Sequence, residues 1–306
     1  GYGPITPASS HVLIQTTPAH QRNLVFSIKQ TGVPLGVAMT GFCIPPLGSH
    51  LGWSWTLLIL ALACITVVLA AQPIRGPLDT LTTLPQTQEA SPLTLRFLMA
   101  QLVSPLTVIA RHPVLRVLAA VSFVFSGIQI AFTSYIVSYL TADIALTAVL
   151  AGTMLALSQM GGVVGRITWG YLSDKLIHPL HMLAILAVVI SFSAFGTASL
   201  VHLPHALPAL GLIALMVLYG ASASGWNGVY LAEVARRAPP GAAAQATSGT
   251  LACTFLGVLV GAPLFGLVVS TAGGYTMAFG MQAVFALCIA VTLFYNRGKF
   301  VDSPLG

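Results

Sequence analysis

The chain has 306 residues, of which 56% are hydrophobic and 6% are charged, and its mean hydropathy is +0.91. A soluble globular domain carries about 25% charged residues, so this composition excludes that class and indicates a protein embedded in lipid. The net charge of +6 comes from basic residues that lie singly or in pairs between long apolar runs. This pattern excludes a clustered nucleic-acid-binding surface.

Long apolar runs define the predicted elements. Crossing the roughly 30 Å hydrocarbon core of a bilayer takes about 20 helical residues, and only structures that satisfy their own backbone hydrogen bonds can do so. The runs therefore predict an all-α fold, a polytopic membrane bundle of nine spans. In chain order the spans are 1–18, 24–47, 52–71, 114–140, 146–171, 179–201, 207–235, 244–270 and 275–295.

The basic residues occupy alternate connections of this arrangement. All twelve lie either in five of the connections or just inside the span ends that adjoin them. These connections are 19–23, 72–113, 172–178, 236–243 and the segment after 295. The positive-inside rule makes these connections cytoplasmic, so we expect a multi-pass protein of the cell (inner) membrane with its C-terminus and long linker inside. Segment 92–110 contains Arg96, Gln101 and Pro105, and we interpret it as an interfacial stretch of that linker rather than a tenth span.

Glycine is distributed in a repeat of three spans. The third, sixth and ninth spans are the poorest in glycine as a set, and most of the others contain several glycines. Such a repeat predicts units of two packed helices and one peripheral, lipid-facing helix. Three units fit the chain, and the odd span count leads us to expect that a unit of three spans is missing upstream. Close helix contact is predicted at the GxxxG pairs Gly32/Gly36, Gly161/Gly165 and Gly257/Gly261.

Residues 165–175, with the sequence GRITWGYLSDK, resemble the short-loop signature of the major facilitator superfamily (MFS), in the copy between the eighth and ninth of its twelve spans. The resemblance implies that the chain holds spans four to twelve. Residues 1–71 would then be the remainder of an N-terminal bundle, 72–113 a cytoplasmic linker with an interfacial helix, and 114–306 a C-terminal six-helix bundle.

The same resemblance implies a conformational gate at the short loop. Its residues are Gly165, Arg166, Gly170, Asp174 and Lys175. Arg166 can pair with Asp174 across the tight turn, and an ion pair of this kind can stabilise one of two packings. The alternative is that these charges only set the topology of the chain.

Polar and aromatic side chains inside the spans are candidate solute contacts, because polar groups are costly toward lipid. The family places its central cavity between the two bundles, so we expect these contacts on the helices that would line it. The candidates are Gln129, Thr133, Gln159, Trp226, Asn227, Tyr230, Lys29, Gln30 and His11. Helix packing is the alternative for most of them. It is also the alternative for Ser122 and Ser126, which share a helix face with Gln129. Lys29 can instead snorkel to the interface, and His11 is either a proton carrier or a helix–helix hydrogen-bond partner.

These features predict a secondary active transporter, a permease of the symporter or antiporter type. It would move a small polar or anionic organic solute by alternating access, with protons as a candidate coupling ion and the lipid bilayer as its surroundings. We expect a monomer without cofactor or metal, because the four cysteines lie inside apolar runs without metal-ligand spacing.

Two other classes of protein are the alternatives. An intramembrane enzyme is disfavoured, because the chain contains no HExxH, no GxSxG and no nucleotide-binding loop. The other alternative is a transporter-derived sensor or a non-functional truncated fragment. If three spans are missing, a cavity between two six-helix halves cannot close, so we expect the nine spans alone not to transport.

Overall fold

The computed structural model describes residues 22–81, 105–202, 209–239 and 243–301, which are almost wholly helical. The all-α prediction is confirmed for these residues. Residues 105–111 form a helical segment, and a 3-10 turn, Leu200–His202, follows one of the helices. The long helices are α1 (Arg22–Leu51), α2 (Trp53–Leu81), α3 (Pro113–Ala142), α4 (Ala148–Lys175), α5 (Pro179–Ser199), α6 (Ala209–Ala223), α7 (Asn227–Arg237), α8 (Ala243–Thr271) and α9 (Gly274–Val301).

Local sequence explains where several helices begin. α3 and α5 start at Pro113 and Pro179, because proline fixes a helical φ and lacks an N–H group that the first turn would leave unpaired. The side chain of Thr147 accepts a hydrogen bond from the Leu150 N–H at 3.3 Å and so caps α4. These starts agree within a few residues with the predicted spans.

Seven stretches of the described chain are long and apolar enough to cross a membrane, and they correspond to the third through ninth predicted spans. They are Trp53–Pro73, Pro113–Ala142, Ala148–Ser173, Pro179–His202, Ala209–Val234, Gln245–Thr271 and Gly274–Asn296. The second predicted span is helical as α1, which contains three internal prolines, and it is not among these seven stretches. The first predicted span, 1–18, lies outside the described residues.

The predicted linker contains more helix than expected at its start, and helix where the interfacial helix was predicted to end. α2 continues to Leu81, ten residues beyond the predicted end of the third span. Residues 105–111, at the end of the predicted interfacial stretch, are helical. The rest of that stretch lies outside the described residues.

Glycines bring the main helix pairs into backbone contact. α3 packs along α8, α4 packs along α6, and α5 packs along α9. A Cβ atom added at Gly261 would contact Gly127 of α3, and one added at Gly161 would contact Val217 of α6. The predictions for the pairs 161/165 and 257/261 are therefore confirmed.

The third predicted glycine pair behaves differently. A Cβ atom on Gly32 or Gly36 would meet no atom of the described chain within 4 Å. The close approach of α1 to α4 lies further along α1, where a Cβ on Gly41 would stand 2.7 Å from the Gly152 carbonyl oxygen. The physical reason is helical phase: five residues turn a helix by about 140°, so Gly36 points away from the direction of Gly41, and Gly41 shares its buried face with Ala38, which is 2% exposed.

Contacts between helix ends place the basic connections together. Arg236, at the end of α7, contacts His178, at the start of α5, with 2.9 Å between their side-chain nitrogens. At the other end of the bundle, the Tyr139 hydroxyl of α3 donates to the Thr197 carbonyl oxygen of α5 at 2.7 Å. The alternation of charged and uncharged connections thus corresponds to two ends of the helical bundle.

The close crossing of α3 and α8 generates a stability prediction. Gly261→Ala places a methyl group against the Gly127 backbone, and overpacking of this kind costs about 1–3 kcal/mol. Gly280→Ala is the matched control, because its Cβ would meet nothing within 4 Å and alanine is favoured over glycine in a helix by about 1 kcal/mol. We expect thermal unfolding in detergent to show a lower midpoint for the first variant and an unchanged or higher one for the second. Equal midpoints would contradict the close packing of α3 against α8.

Candidate functional site

The span Ala209–Val234 is broken into two helices. α6 ends at Ala223 and α7 begins at Asn227, with a turn at residues 224–226 between them. The segment contains no proline, so the break has another cause. Within a membrane, broken helices of this kind persist only where other groups satisfy the freed backbone.

Two side chains from α4 satisfy the freed carbonyl groups. The Trp169 indole N–H donates to the Ala221 carbonyl oxygen at 2.8 Å. The Arg166 Nε donates to the Ser224 carbonyl oxygen at 2.9 Å. Both donors belong to the short-loop segment 165–175, so this segment is joined directly to the broken span.

Glycines give these side chains room. A Cβ atom on Gly225 would press on the Ala221 oxygen and lie 2.8 Å from the Trp169 ring. A Cβ on Gly165 would lie 2.9 Å from the Trp169 indole nitrogen. The Trp169 indole therefore fits in this place because Gly165 and Gly225, on its two sides, have no Cβ atom.

Beyond the break, aromatic rings connect α7 to α3. Trp226 is fully buried, and its indole N–H donates to Oε1 of Gln129 at 3.2 Å. Its ring packs edge-on against Phe125 and Tyr230, with centroid separations of 5.6 and 5.2 Å. Thr133 donates to the Gln129 carbonyl oxygen at 2.8 Å. Three of the predicted solute contacts, Gln129, Trp226 and Tyr230, thus lie in one cluster at the contact of α3 and α7.

A sequence model described as the Major Facilitator Superfamily matches residues 1–250. The chain belongs to this superfamily. Two uncharacterized MFS-type transporters, from two strains of Mycobacterium tuberculosis, are each 24% identical over 273 residues, which cover 88% of this chain and 56% of theirs. This MFS chain therefore spans about half the length of the curated relatives it matches.

A solved structure has the same fold. The crystal structure of the Escherichia coli fucose:proton symporter FucP matches with a TM-score of 0.63 and 19% sequence identity, over 94% of this chain and 71% of the symporter. Together with the seven apolar spans, the family and the fold make this a multi-pass membrane protein of a family of transporters.

The other predicted solute contacts are dispersed in this MFS chain. Gln159 is 2% exposed and lies beside Ser158, with 3.5 Å between their side-chain polar atoms. Asn227 is half-buried at the start of α7. Lys29 and Gln30 lie in α1, where only their backbone is described, and His11 lies outside the described residues.

The predicted gate is described in part. Gly165 and Arg166 contact the broken span, and Lys175 is exposed at the end of α4. A Cβ atom added at Gly170 would meet nothing within 4 Å among the described residues. The Asp174 side chain lies outside the described part of the chain, so its pairing with Arg166 stays a prediction.

Two serines of the α3 stripe serve helix packing. Ser126 donates to the Thr254 carbonyl oxygen of α8 at 2.8 Å, and Ser122 lies 3.4 Å from the Thr250 carbonyl oxygen. Both serines are buried. The packing alternative therefore describes these two positions, whereas Gln129 on the same helix face belongs to the cluster around Trp226, and Thr133 bonds within its own helix.

One polar pair was missed by the sequence reasoning. The Tyr219 hydroxyl of α6 donates to Oε1 of Gln282 in α9 at 2.6 Å, and both residues are buried. Gln282 also lines an apolar cavity of about 250 Å³ between α3, α8 and α9, which none of the predicted contacts lines. A glutamine in the middle of an otherwise apolar span was the available signal.

A cluster of charged side chains lies at the end of the bundle that carries the basic connections, which we call the basic end. Glu233 is fully buried and forms ion pairs with Arg236 and with Arg237, whose Nε lies 3.0 Å from Oε1. Arg236 also contacts Nε2 of His178, whose Nδ1 accepts from the Leu180 N–H at 3.3 Å. Both ring nitrogens of His178 therefore face hydrogen-bond donors.

The charge state of His178 is biased by these surroundings. Burial lowers the pKa of His178 from 6.5, and the positive charges of Arg236, Arg237 and His181 act in the same direction, against the opposite influence of Glu233. The folded protein consequently favours the neutral ring. Its contribution to stability is present above pH 6.5 and is lost as the pH falls below that value.

This environment generates a pH prediction. We expect the unfolding midpoint of the purified protein to fall between about pH 7.5 and about pH 5.5, and His178→Asn, which keeps an N-cap acceptor for the Leu180 N–H, to reduce that fall. The exposed His202→Asn serves as the control and should keep the wild-type pH dependence. An unchanged dependence in His178→Asn would contradict the assignment.

Proposed function

We propose that this chain is the helical core of a secondary active transporter that moves a small polar or anionic organic solute by alternating access, with protons as the candidate coupling ion. Family membership supports transport as the activity. The observation that carries the mechanism is the contact between α1 and α4, because these helices lie on opposite sides of the proposed division into bundles at residues 1–71 and 114–306, with 72–113 as the linker.

That contact is closest near the start of α4. A Cβ on Gly152, in the first turns of α4, would stand 2.5 Å from the Gly41 oxygen and from Pro45 of α1. Toward the other end of α4, Val164, Ile167 and Tyr171 are 60%, 63% and 63% exposed. Close contact near one end of α4 and exposed side chains further along it support one of the two states that alternating access requires.

The solute class rests on polar side chains inside the spans and on the positive charge of one end of the bundle. Gln129, Thr133 and Asn227 are neutral hydrogen-bonding groups, which suit a polar solute, while Lys29 and the basic end favour an anionic one. We further propose a monomer in the cell (inner) membrane, with the basic end, the linker and the C-terminus on the cytoplasmic side.

Transport is testable in proteoliposomes that contain either the chain alone or a full-length protein that carries it. We expect labelled uptake from a panel of sugars, amino acids and small carboxylates only with the full-length protein, measured with and without an imposed proton gradient, and none with the nine spans alone. Gly41→Leu should reduce uptake at least tenfold, because a side chain there separates α1 from α4. Gly36→Leu is the matched control, since its Cβ meets nothing within 4 Å among the described residues.

The alternatives predict another outcome. If the correctly inserted chain and its longer parent both fail to accumulate any solute of the panel, a sensor is favoured over a transporter. If only the longer parent transports, the fragment alternative holds for the chain alone. An enzyme would instead convert a solute without accumulating it, which chromatography of the vesicle contents would detect.

A further inference from the structure

The break between α6 and α7 lies at the pair Ser224–Gly225 and is held by side chains from outside the span. Residues 209–237 contain no proline, and sharp kinks without proline occur at Gly/Ser pairs or where a side chain enters the ladder of backbone hydrogen bonds. Here the Ser224 N–H still donates to the Gly220 carbonyl oxygen at 2.9 Å, so the ladder is intact up to that residue.

The next carbonyl groups are captured by α4. In a continuous helix the Ala221 and Ser224 oxygens would accept from the Gly225 and Gly228 N–H groups. They accept instead from Trp169 and Arg166. These two residues are three apart on α4, so they share one helix face and reach the broken span together.

We propose that Trp169 and Arg166 form a latch that keeps the span broken and thereby positions Trp226 and Asn227 for the transport cycle. Releasing the latch returns the two oxygens to Gly225 and Gly228, and α6 and α7 become one continuous helix. Trp169 is a positioning residue in this scheme. The proposal rests on the proposed transport function for its role in the cycle, whereas the latch itself is a structural claim.

An unsatisfied hydroxyl group supports a second state. The Ser224 Oγ is fully buried and has no hydrogen-bond partner in the described part of the protein. A buried hydroxyl without a partner costs free energy, so a second state in which it finds one would be favoured by that amount, as a bistable element requires.

Trp169→Phe tests the latch because it removes the indole N–H and keeps an aromatic ring. Hydrogen–deuterium exchange of the full chain in lipid nanodiscs should show at least tenfold slower exchange of the Gly225 amide, since the freed Ala221 oxygen can accept from it, and the double variant with Arg166→Met, which also frees the Ser224 oxygen, should slow the Gly228 amide as well. Trp53→Phe, at an exposed tryptophan of α2, is the matched control and should leave these amides unchanged. Unchanged or faster exchange in Trp169→Phe overturns the latch.

A distance measurement gives a second readout. Spin labels at Leu210→Cys and Ala232→Cys, in a chain whose native cysteines are replaced by serine, lie at the two ends of the broken span. A straight helix separates these positions by about 33 Å. The distance should be shorter in the parent and should approach the straight-helix value in Trp169→Phe. An identical distance in both proteins overturns the proposal.

A second variant covers the case in which Trp169→Phe does not fold. Gly225→Ala places a methyl group against the Trp169 ring and should expel the indole, with the same slower exchange and longer distance. Transport is measured separately on each folded variant. If α6 and α7 join in the variants and the full-length protein never transports, the latch is supported and the proposed function is refuted. If transport is normal and the span stays broken in both variants, the proposed function is supported and the latch is refuted.

Discussion

A backbone buried in lipid has no water to satisfy its N–H and C=O groups, and this constraint organises the C-terminal helices of the chain. The break after Ala223 exists because Trp169 and Arg166 bring donors to the two freed oxygens. That arrangement in turn requires α4 to approach α6 closely, which the glycines of both helices allow. One local requirement thus explains the packing, the small residues and the position of the short-loop segment.

α4 connects α1 to the broken span. Its first turns contact α1, and its later turns contact the broken span. The aromatic cluster around Trp226 continues this line to Gln129 of α3. A displacement of α1 against α4 would therefore be transmitted to the polar groups of the proposed solute path through packed backbone and hydrogen-bonded side chains.

The sequence was informative where a property is local. Hydropathy and charge predicted the spans and the two ends of the bundle, because lipid contact and the positive-inside rule act on each segment separately. Two of the three GxxxG pairs were predicted for the same reason. The latch was not predictable, since the break in α6 and α7 is caused by side chains of another helix. Likewise, Ser126 and Gln129 differ little in the sequence pattern, and only the position of α8 explains why Ser126 binds backbone.

The Gly41–Gly152 contact has a mechanical consequence. Here two backbones touch beside only the short side chains of Pro45 and Ala156, so a rotation of α1 against α4 at this point would need few rotamer changes. Under the proposed alternating access, the contact would serve as a pivot with a low energy barrier. That barrier would then be set by polar groups elsewhere, and a small difference in the binding of the proposed solute or proton would suffice to choose the direction of tilt.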